Sequence, residues 1–286
     1  MKQVVFISGK GGTGKSTIVA SLSLLVKNKI MADCDVDAPN LHLLIKGERL
    51  QSNDYCGAEC AVIDAAKCVA CGICRETCRF DAISDDLKVI PMKCEGCGAC
   101  KLVCPQEAIS LMDVKIGKTY VDYTDRGIFS HALLDIGAEG SGKLVTEVKE
   151  NLFAFINGEE WALIDGSPGI GCSVIASITG ADAIVAVCEP TKSGQSDLER
   201  VLGVARHFGI LAFVCINKYD LNLEITEEIQ AFCERNKFPL IGKLPFEPAI
   251  VKALQMLQTP VEAGIENIVT EIEHIWKKLK TQLGTK

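Results

Sequence analysis

The sequence predicts an α/β protein: a doubly wound, mostly parallel sheet interrupted by a small inserted α+β domain. Three observations predict it. Short apolar runs alternate with helical stretches over residues 1–47 and 119–286, as in parallel strands joined by crossover helices. A glycine-rich loop joins the first apolar run to the first helical stretch. Residues 48–118 drop the alternation and hold most of the cysteines.

Composition narrows the class. The net charge of −7 over 286 residues carries no basic footprint for nucleic acid. No run approaches the ~18 apolar residues of a membrane span. The first seven residues already read as a strand, so no signal peptide and a cytoplasmic location are expected. Ten of the 15 cysteines fall within residues 56–104. In a reducing, nucleotide-rich compartment such a cluster points to metal ligands before disulfides.

The first apolar run, Val4-Val5-Phe6-Ile7, has the length of a buried strand. The loop is Gly9-Lys10-Gly11-Gly12-Thr13-Gly14-Lys15-Ser16-Thr17, with the spacing G-x-x-x-x-G-K-S, and a helix follows from Ile18. Strand, glycine loop and helix form a phosphate cradle. Glycines let successive N–H groups turn inward, and the helix sets its positive end beneath the anion. Lys15 would reach the β- and γ-phosphates, and the Ser16 hydroxyl would ligate Mg²⁺.

A second strand, Lys29 onward, ends in Asp33-Cys34-Asp35. Strand C-termini face the ligand crevice of an open α/β sheet. Asp33 and Asp35 lie two apart and would serve Mg²⁺-bound water and the attacking water. A solvated acidic turn is the plainer alternative.

Residues 48–118 contain an internal duplication. Cys68, Cys71, Cys74 and Cys78 recur as Cys94, Cys97, Cys100 and Cys104, offset by 26 residues, and the same offset carries Ala82-Ile83 onto Ala108-Ile109. C-x-x-C-x-x-C-x-x-x-C is the spacing of bacterial ferredoxins with two clusters, where the fourth cysteine serves the other cluster. One [4Fe–4S] cluster would take Cys68, Cys71, Cys74 and Cys104; the other would take Cys94, Cys97, Cys100 and Cys78. Zinc is the competing reading, but four-cysteine zinc sites pair two C-x-x-C knuckles. Arg79 replaces the usual proline of the first repeat. Cys56 and Cys60 are read as thiols of the insert's edge, with extra ligands or a redox pair as alternatives.

From Thr119 the alternation resumes. Thr119 to Tyr123 and Ile128 to Leu134 read as a hairpin, and Ser141-Gly142-Lys143 opens a helix to about Phe155. Trp161 to Asp165 is a strand ending in an acid, followed by Gly166-Ser167-Pro168-Gly169. Asp165 is expected on the Mg²⁺ side, in a γ-phosphate-sensing loop. Further strands are expected over 183–188, 211–217 and 239–244, with helices over 193–207, 224–234, about 248–257 and about 261–283. In the last helix Ile265, Ile268, Ile272, Ile275, Leu279 and Leu283 form a docking stripe rather than a membrane anchor. Asn217-Lys218-Tyr219-Asp220 spells the guanine-reading N-K-x-D of GTPases. The four histidines show no ligand spacing and are read as structural.

Lys10, beside Gly11 and Gly12, is the signature lysine of a deviant Walker A loop. With the Asp33-Cys34-Asp35, Asp165-x-x-Pro168-Gly169, Glu189-Pro190-Thr191 and Asn217 stretches in order, the chain resembles the MinD/ParA superfamily of P-loop ATPases, and within it the members carrying an inserted two-cluster ferredoxin domain. The resemblance implies a homodimer with ATP at its interface. It implies that Lys10 reaches the partner's phosphates, that Asp35 is the switch I carboxylate needed for hydrolysis, and that Asn217 and Pro245 contact adenine. Lys10, Lys15 and Asp35 are thus the expected catalytic residues. A nitrogenase-like bridging cluster at Cys172 would lack a second cysteine, so Cys172 is read as buried and structural. The whole reads as a redox-linked ATPase with unidentified redox partners and no membrane anchor. A cluster or metal-cofactor carrier, and a positioning ATPase with a ferredoxin interaction module, are the alternatives.

Overall fold

Strands that are apolar on both faces must be covered on both faces. Here Val4, Phe6, Leu163, Val185 and Phe213 are fully buried in one continuous core with helix residues Val19, Leu22, Ile272 and Leu279. The computed structural model describes residues 1–284. In chain order the elements are β1 (Lys2–Ser8), α1 (Lys15–Leu25), β2 (Lys29–Asp33), α2 (Leu41–Leu44), β3 (Gly47–Ile63), α3 (Ile73–Thr77), α4 (Ala99–Leu102), β4 (Ile109–Thr124), β5 (Gly127–Leu134), α5 (Gly142–Phe153), β6 (Trp161–Pro168), α6 (Cys172–Ile178), β7 (Ala183–Cys188), α7 (Lys192–His207), β8 (Leu211–Asn217), α8 (Leu223–Asn236), β9 (Leu240–Leu244), α9 (Ala249–Gln255) and α10 (Glu266–Gln282). The sheet order is β3-β4-β5-β2-β6-β1-β7-β8-β9. Every pairing from β5 to β9 is parallel. The expected doubly wound, mostly parallel α/β fold is therefore the observed one.

The chain divides into two compact units. One comprises residues 1–53, 119–134 and 139–284; the other comprises 54–118 and 135–138. Two elements depart from the sequence reading. β3 was not foreseen: 12 of its 17 residues are exposed, so no apolar alternation marks it. β4 begins at Ile109, not at Thr119. The last helix starts at Glu266 because Gly264, at φ 66°, turns the chain out of helical geometry just before it. Its stripe docks on the chain's own sheet: Ile268, Ile272, Ile275 and Leu279 are buried, and Trp276 meets Trp161 edge-on at 4.6 Å.

In the second unit the duplication extends to the backbone. Positive φ recurs at the 26-residue offset: Ala70 56° and Gly96 61°, Gly72 79° and Gly98 76°, Asp81 50° and Glu107 47°. The small core of this unit is Ala61, Cys74, Ile83 and Ile109, the last two being repeat partners.

Candidate nucleotide site and cysteine cavities

β1 delivers the chain to the loop at Ser8, whose hydroxyl donates to the Lys10 carbonyl at 2.8 Å. Gly12 and Gly14 take left-handed φ of 81° and 86°, and α1 begins at Lys15. A side chain on Gly14 would meet the Asn217 amide at 2.3 Å. That close approach lets Asn217 Nδ2 donate to the Thr13 carbonyl at 2.8 Å. The end of β8 is thereby tied to the glycine loop.

β2 and β6 are parallel neighbours, with Asp33 and Asp165 as register partners at their C-terminal ends. Both are fully buried. Asp33 accepts the Asp35 N–H at 3.1 Å and the Leu41 N–H at 3.0 Å, and so shapes the turn between β2 and α2. Asp165 Oδ1 accepts Lys15 Nζ at 2.5 Å, while Asp165 Oδ2 is buried without a partner among the described residues. Lys15 also lies 3.5 Å from Asp35 Oδ2. The three loops are laced together: Gly169 N–H donates to the Ser8 carbonyl, Cys34 N–H to the Asp165 carbonyl, and the Ser167 hydroxyl to the Cys34 carbonyl.

Three carboxylates against one ammonium leave this cluster acid-rich. Burial and then the Asp165 charge push the Asp33 carboxyl up to about 8. Burial also raises Asp35, with Lys15 opposing. Burial works against the Lys15 charge, but Asp165 and Asp35 more than offset it, and its pKa is raised. An excess of buried negative charge with one unpartnered oxygen fits a divalent cation. Above the cluster opens a cleft of about 510 Å³, lined by Gly12, Lys15, Ser16, Asp35, Asn217 and Pro245 among others. Gly9 packs on α7 at Asp197.

Lys10 points elsewhere. Its Nζ lies 3.4 Å from Ser193 Oγ, 3.5 Å from Thr191 Oγ1 and 3.9 Å from Glu189 Oε2. Glu189 also takes Lys218 at 2.5 Å. Asp220, last residue of the N-K-x-D spelling, accepts the Phe246 N–H at 2.6 Å and so anchors the loop after β9. Composition alone would not reveal that bond; it needs the fold.

The eight repeat cysteines form two separate cavities. Cys68, Cys71, Cys74 and Cys104 line one, and Cys78, Cys94, Cys97 and Cys100 line another, each of about 20 Å³. Three backbone N–H groups point at sulfur: Ala82 to Cys78 at 3.4 Å, Ala108 to Cys104 at 3.3 Å, and Ala61 to Cys94 at 3.4 Å. Among the described residues no three His, Cys, Asp or Glu side chains converge on a single-ion site. One reading needs correction. Cys172 is exposed at the start of α6, not buried; sequence spacing could not show that its helix turns it outward. Cys60, half-buried on β3, donates to the neighbouring Ala61 carbonyl at 3.6 Å. Cys56 is exposed. His42 and His131 are structural, stacked at 5.4 Å, with His131 Nε2 3.1 Å from Asp122 Oδ2.

Comparison with known proteins follows the same lines. Uncharacterized protein MJ0578 of Methanocaldococcus jannaschii is 36% identical over 225 residues, 77% of this chain and 79% of that protein. Among solved structures, the septum site-determining protein MinD of Pyrococcus horikoshii, complexed with Mg-ADP, superposes with a TM-score of 0.61 at 16% identity, covering 99% of this chain and 97% of that one. The Cyanothece McdA(D38A)-ATP complex gives a TM-score of 0.56 at 17% identity, covering 100% and 97%. Residues 4–261 match the family described as the CobQ/CobB/MinD/ParA nucleotide binding domain. With that match spanning nine-tenths of the chain and the fold agreeing with it, the chain belongs to the CobQ/CobB/MinD/ParA nucleotide-binding family.

Proposed function

We propose that the chain is a redox-linked ATPase, in which a nucleotide-dependent homodimer switch is coupled to electron transfer through two [4Fe–4S] clusters. The observation that carries the redox half is the sorting of eight cysteines into two four-cysteine cavities, each taking three from one repeat and one from the other. The N–H groups aimed at Cys78, Cys94 and Cys104 are what thiolate sulfurs need. Cys68, Cys71, Cys74 and Cys104 would hold one cluster, and Cys94, Cys97, Cys100 and Cys78 the other. Bound there, the clusters would supply one-electron carriers.

In the nucleotide half, the backbone of residues 9–17 would cradle the phosphates of ATP. Lys15 would leave Asp165 for the β- and γ-phosphates, and the freed Asp165, with Ser16 and through Asp33, would take Mg²⁺. Asp35 lines the cleft and would orient water at the γ-phosphate. Asn217 and Pro245, which line the same cleft, would flank the base. Lys10 would cross to the partner's nucleotide. The relatives solved with Mg-ADP and with ATP support the choice of nucleotide. From Asp35 the chain runs through α2 directly into β3 and the cysteine unit, so loop movements at the nucleotide have a short covalent route to the clusters.

The test is anaerobic purification with iron and sulfide analysis, EPR, and ATPase assay of oxidised against reduced protein. About eight irons per chain, a reducible EPR signal and a rate that changes with cluster reduction are expected. Zinc in place of iron would falsify the cluster assignment, and a rate indifferent to reduction would remove the coupling. A carrier role is the second reading, favoured by the exposure of Cys71 and Cys97, one in each cavity. It predicts transfer of iron to an apo-ferredoxin within the assay time, where an electron carrier retains it.

A further inference from the structure

Asn217-Lys218-Tyr219-Asp220 spells a guanine-reading motif beside a cleft proposed for ATP. The structure shows where each polar group of that motif goes. Asn217 Nδ2 donates to the Thr13 carbonyl, and Asn217 Oδ1 accepts the Lys218 N–H at 3.0 Å. Lys218 Nζ pairs with Glu189. Asp220 Oδ1 accepts the Phe246 N–H at 2.6 Å. A guanine-reading aspartate must offer both carboxylate oxygens to the base's N1–H and 2-amino donors. Asp220 has one of them on the backbone, and it is not among the residues that line the cleft.

The cleft has two chemically distinct ends. The glycine loop, Lys15 and Ser16 make one, where backbone N–H groups and a helix N-terminus suit phosphate. Pro245, Phe246, Ile250, Val251 and Leu254 make the other, an apolar end that suits a purine ring. Residues 245–247, between β9 and α9, have no regular structure. β8 and β9 pair in parallel with Asn217 beside Leu244, which brings the turn after β8 next to that segment. Asp220 supplies the tie between them, a charge-assisted bond from a backbone N–H to a carboxylate. The turn that carries Asp220 is itself fixed, because the Thr226 hydroxyl of α8 donates to the Tyr219 carbonyl at 2.6 Å. Glu247, the carboxylate that lines this end, is engaged on both oxygens, by the Ala249 N–H at 3.2 Å and the Asn267 amide at 3.4 Å. Among the described residues, no carboxylate at this end is left open for guanine's paired donors.

We propose that Asp220 is a positioning residue for the base and not a reader of it. By holding the Phe246 N–H it sets the Pro245–Phe246 wall against which an adenine ring lies, and it leaves guanine's donors unmet. The proposal rests on the nucleotide reading above and concerns the base alone; the phosphate end does not depend on Asp220.

The experiment measures equilibrium binding of ATP, GTP and inorganic tripolyphosphate, each with Mg²⁺, to the full-length protein as wild type, Asp220→Ala and Asp220→Asn. The wild type should bind ATP at least about tenfold more tightly than GTP, the cost of leaving buried donors unpaired. Asp220→Ala should weaken ATP about tenfold, the share of one hydrogen bond to a charged group, and leave tripolyphosphate unchanged. Asp220→Asn keeps the accepting oxygen and should restore most of the ATP affinity. An unchanged ATP affinity in Asp220→Ala overturns the proposal, as does a failure of Asp220→Asn to restore a lost one. An equal loss for tripolyphosphate overturns it in favour of a general structural role. A wild type that binds GTP as tightly as ATP, or more tightly, overturns it in favour of direct reading by the aspartate. A wild type that binds none of the three instead fails the nucleotide reading itself, and this inference with it.

Discussion

The Gly14–Asn217 contact shows how a single residue choice sets the glycine loop. Gly14 needs a left-handed φ of 86° and an open face for the Asn217 amide. Gly14→Ala would suffer twice, through left-handed backbone strain of roughly 1–2 kcal/mol and through the clash with Asn217 at 2.3 Å. Asn217→Ala would lose one buried hydrogen bond to Thr13, on the order of 1 kcal/mol. The two effects share an atom, so they should not add. Asn217→Ala placed in the Gly14→Ala background should recover part of the loss, as measured by chemical denaturation of all four members of the cycle. Strict additivity would show that the loop relaxes away from Asn217. ATP affinity should fall in each variant, since the loop carbonyl that Asn217 holds belongs to the phosphate cradle.

At the scale of elements, α2, β4 and β5 meet in a buried polar stack. His131 on β5 lies between His42 on α2 and Phe129, and bonds Asp122 on β4, which also takes Arg49. Burial lowers the His131 imidazole to about 4, against the pull of Asp122. An unfolded histidine titrates near ~6.5. Between those values the unfolded chain binds the extra proton, so stability falls as the solution is acidified from about pH 6.5 towards 4. His131→Phe keeps a ring in the stack and removes the proton site. Between pH 7 and 4.5 the wild type should lose about 2 kcal/mol more than this variant. Fluorescence of Trp161 and Trp276 during urea unfolding reads the difference, and parallel losses in both proteins would contradict it. None of this stack was legible in the sequence, where the histidines show only as scattered residues. What was legible is what repeats or alternates. The parallel strands are continuous apolar runs, the phosphate loop is contiguous, and the cysteine pairing follows from a repeat. β3 was invisible because most of its side chains face water, and Asp33's two backbone bonds, the Asp220–Phe246 tie and the Ala61–Cys94 hydrogen bond all join residues whose spacing says nothing. Cys172 misled for the opposite reason: seven residues past Asp165 is a spacing, but exposure is decided by how α6 sits on the sheet.

For the whole molecule the deciding question is whether the chain works alone. Most of the groups proposed to grip one nucleotide line one cleft: Gly11 to Thr17 of the loop, with Lys15 and Ser16, and Asp35, Asn217 and Pro245. Lys10 is the exception. It is 36% exposed, and its contacts within the chain are long ones, to Ser193, Thr191 and Glu189 at 3.4–3.9 Å. Such contacts to a half-solvated ammonium are worth little, at most about 1 kcal/mol, so the side chain can be drawn away by a phosphate of a facing subunit. A lysine held only by such long contacts at home, beside the cradle, is suited to act in trans, as an arginine finger does. Lys10→Ala should therefore leave the monomer fold intact and ATP binding within a few-fold of wild type. ATP-induced dimerisation should be lost, and hydrolysis should drop on the order of 10³-fold, the low end for a catalytic cation supplied by a partner. Analytical ultracentrifugation with and without a non-hydrolysable ATP analogue reads the first, and phosphate release reads the second. Mixing Lys10→Ala with an excess of Lys15→Ala separates the routes. Lys15→Ala cannot grip its own nucleotide but still carries Lys10, so rescue of hydrolysis in the mixture is expected if the lysine crosses the interface, and its failure in a mixture that forms heterodimers would place Lys10 back in its own subunit.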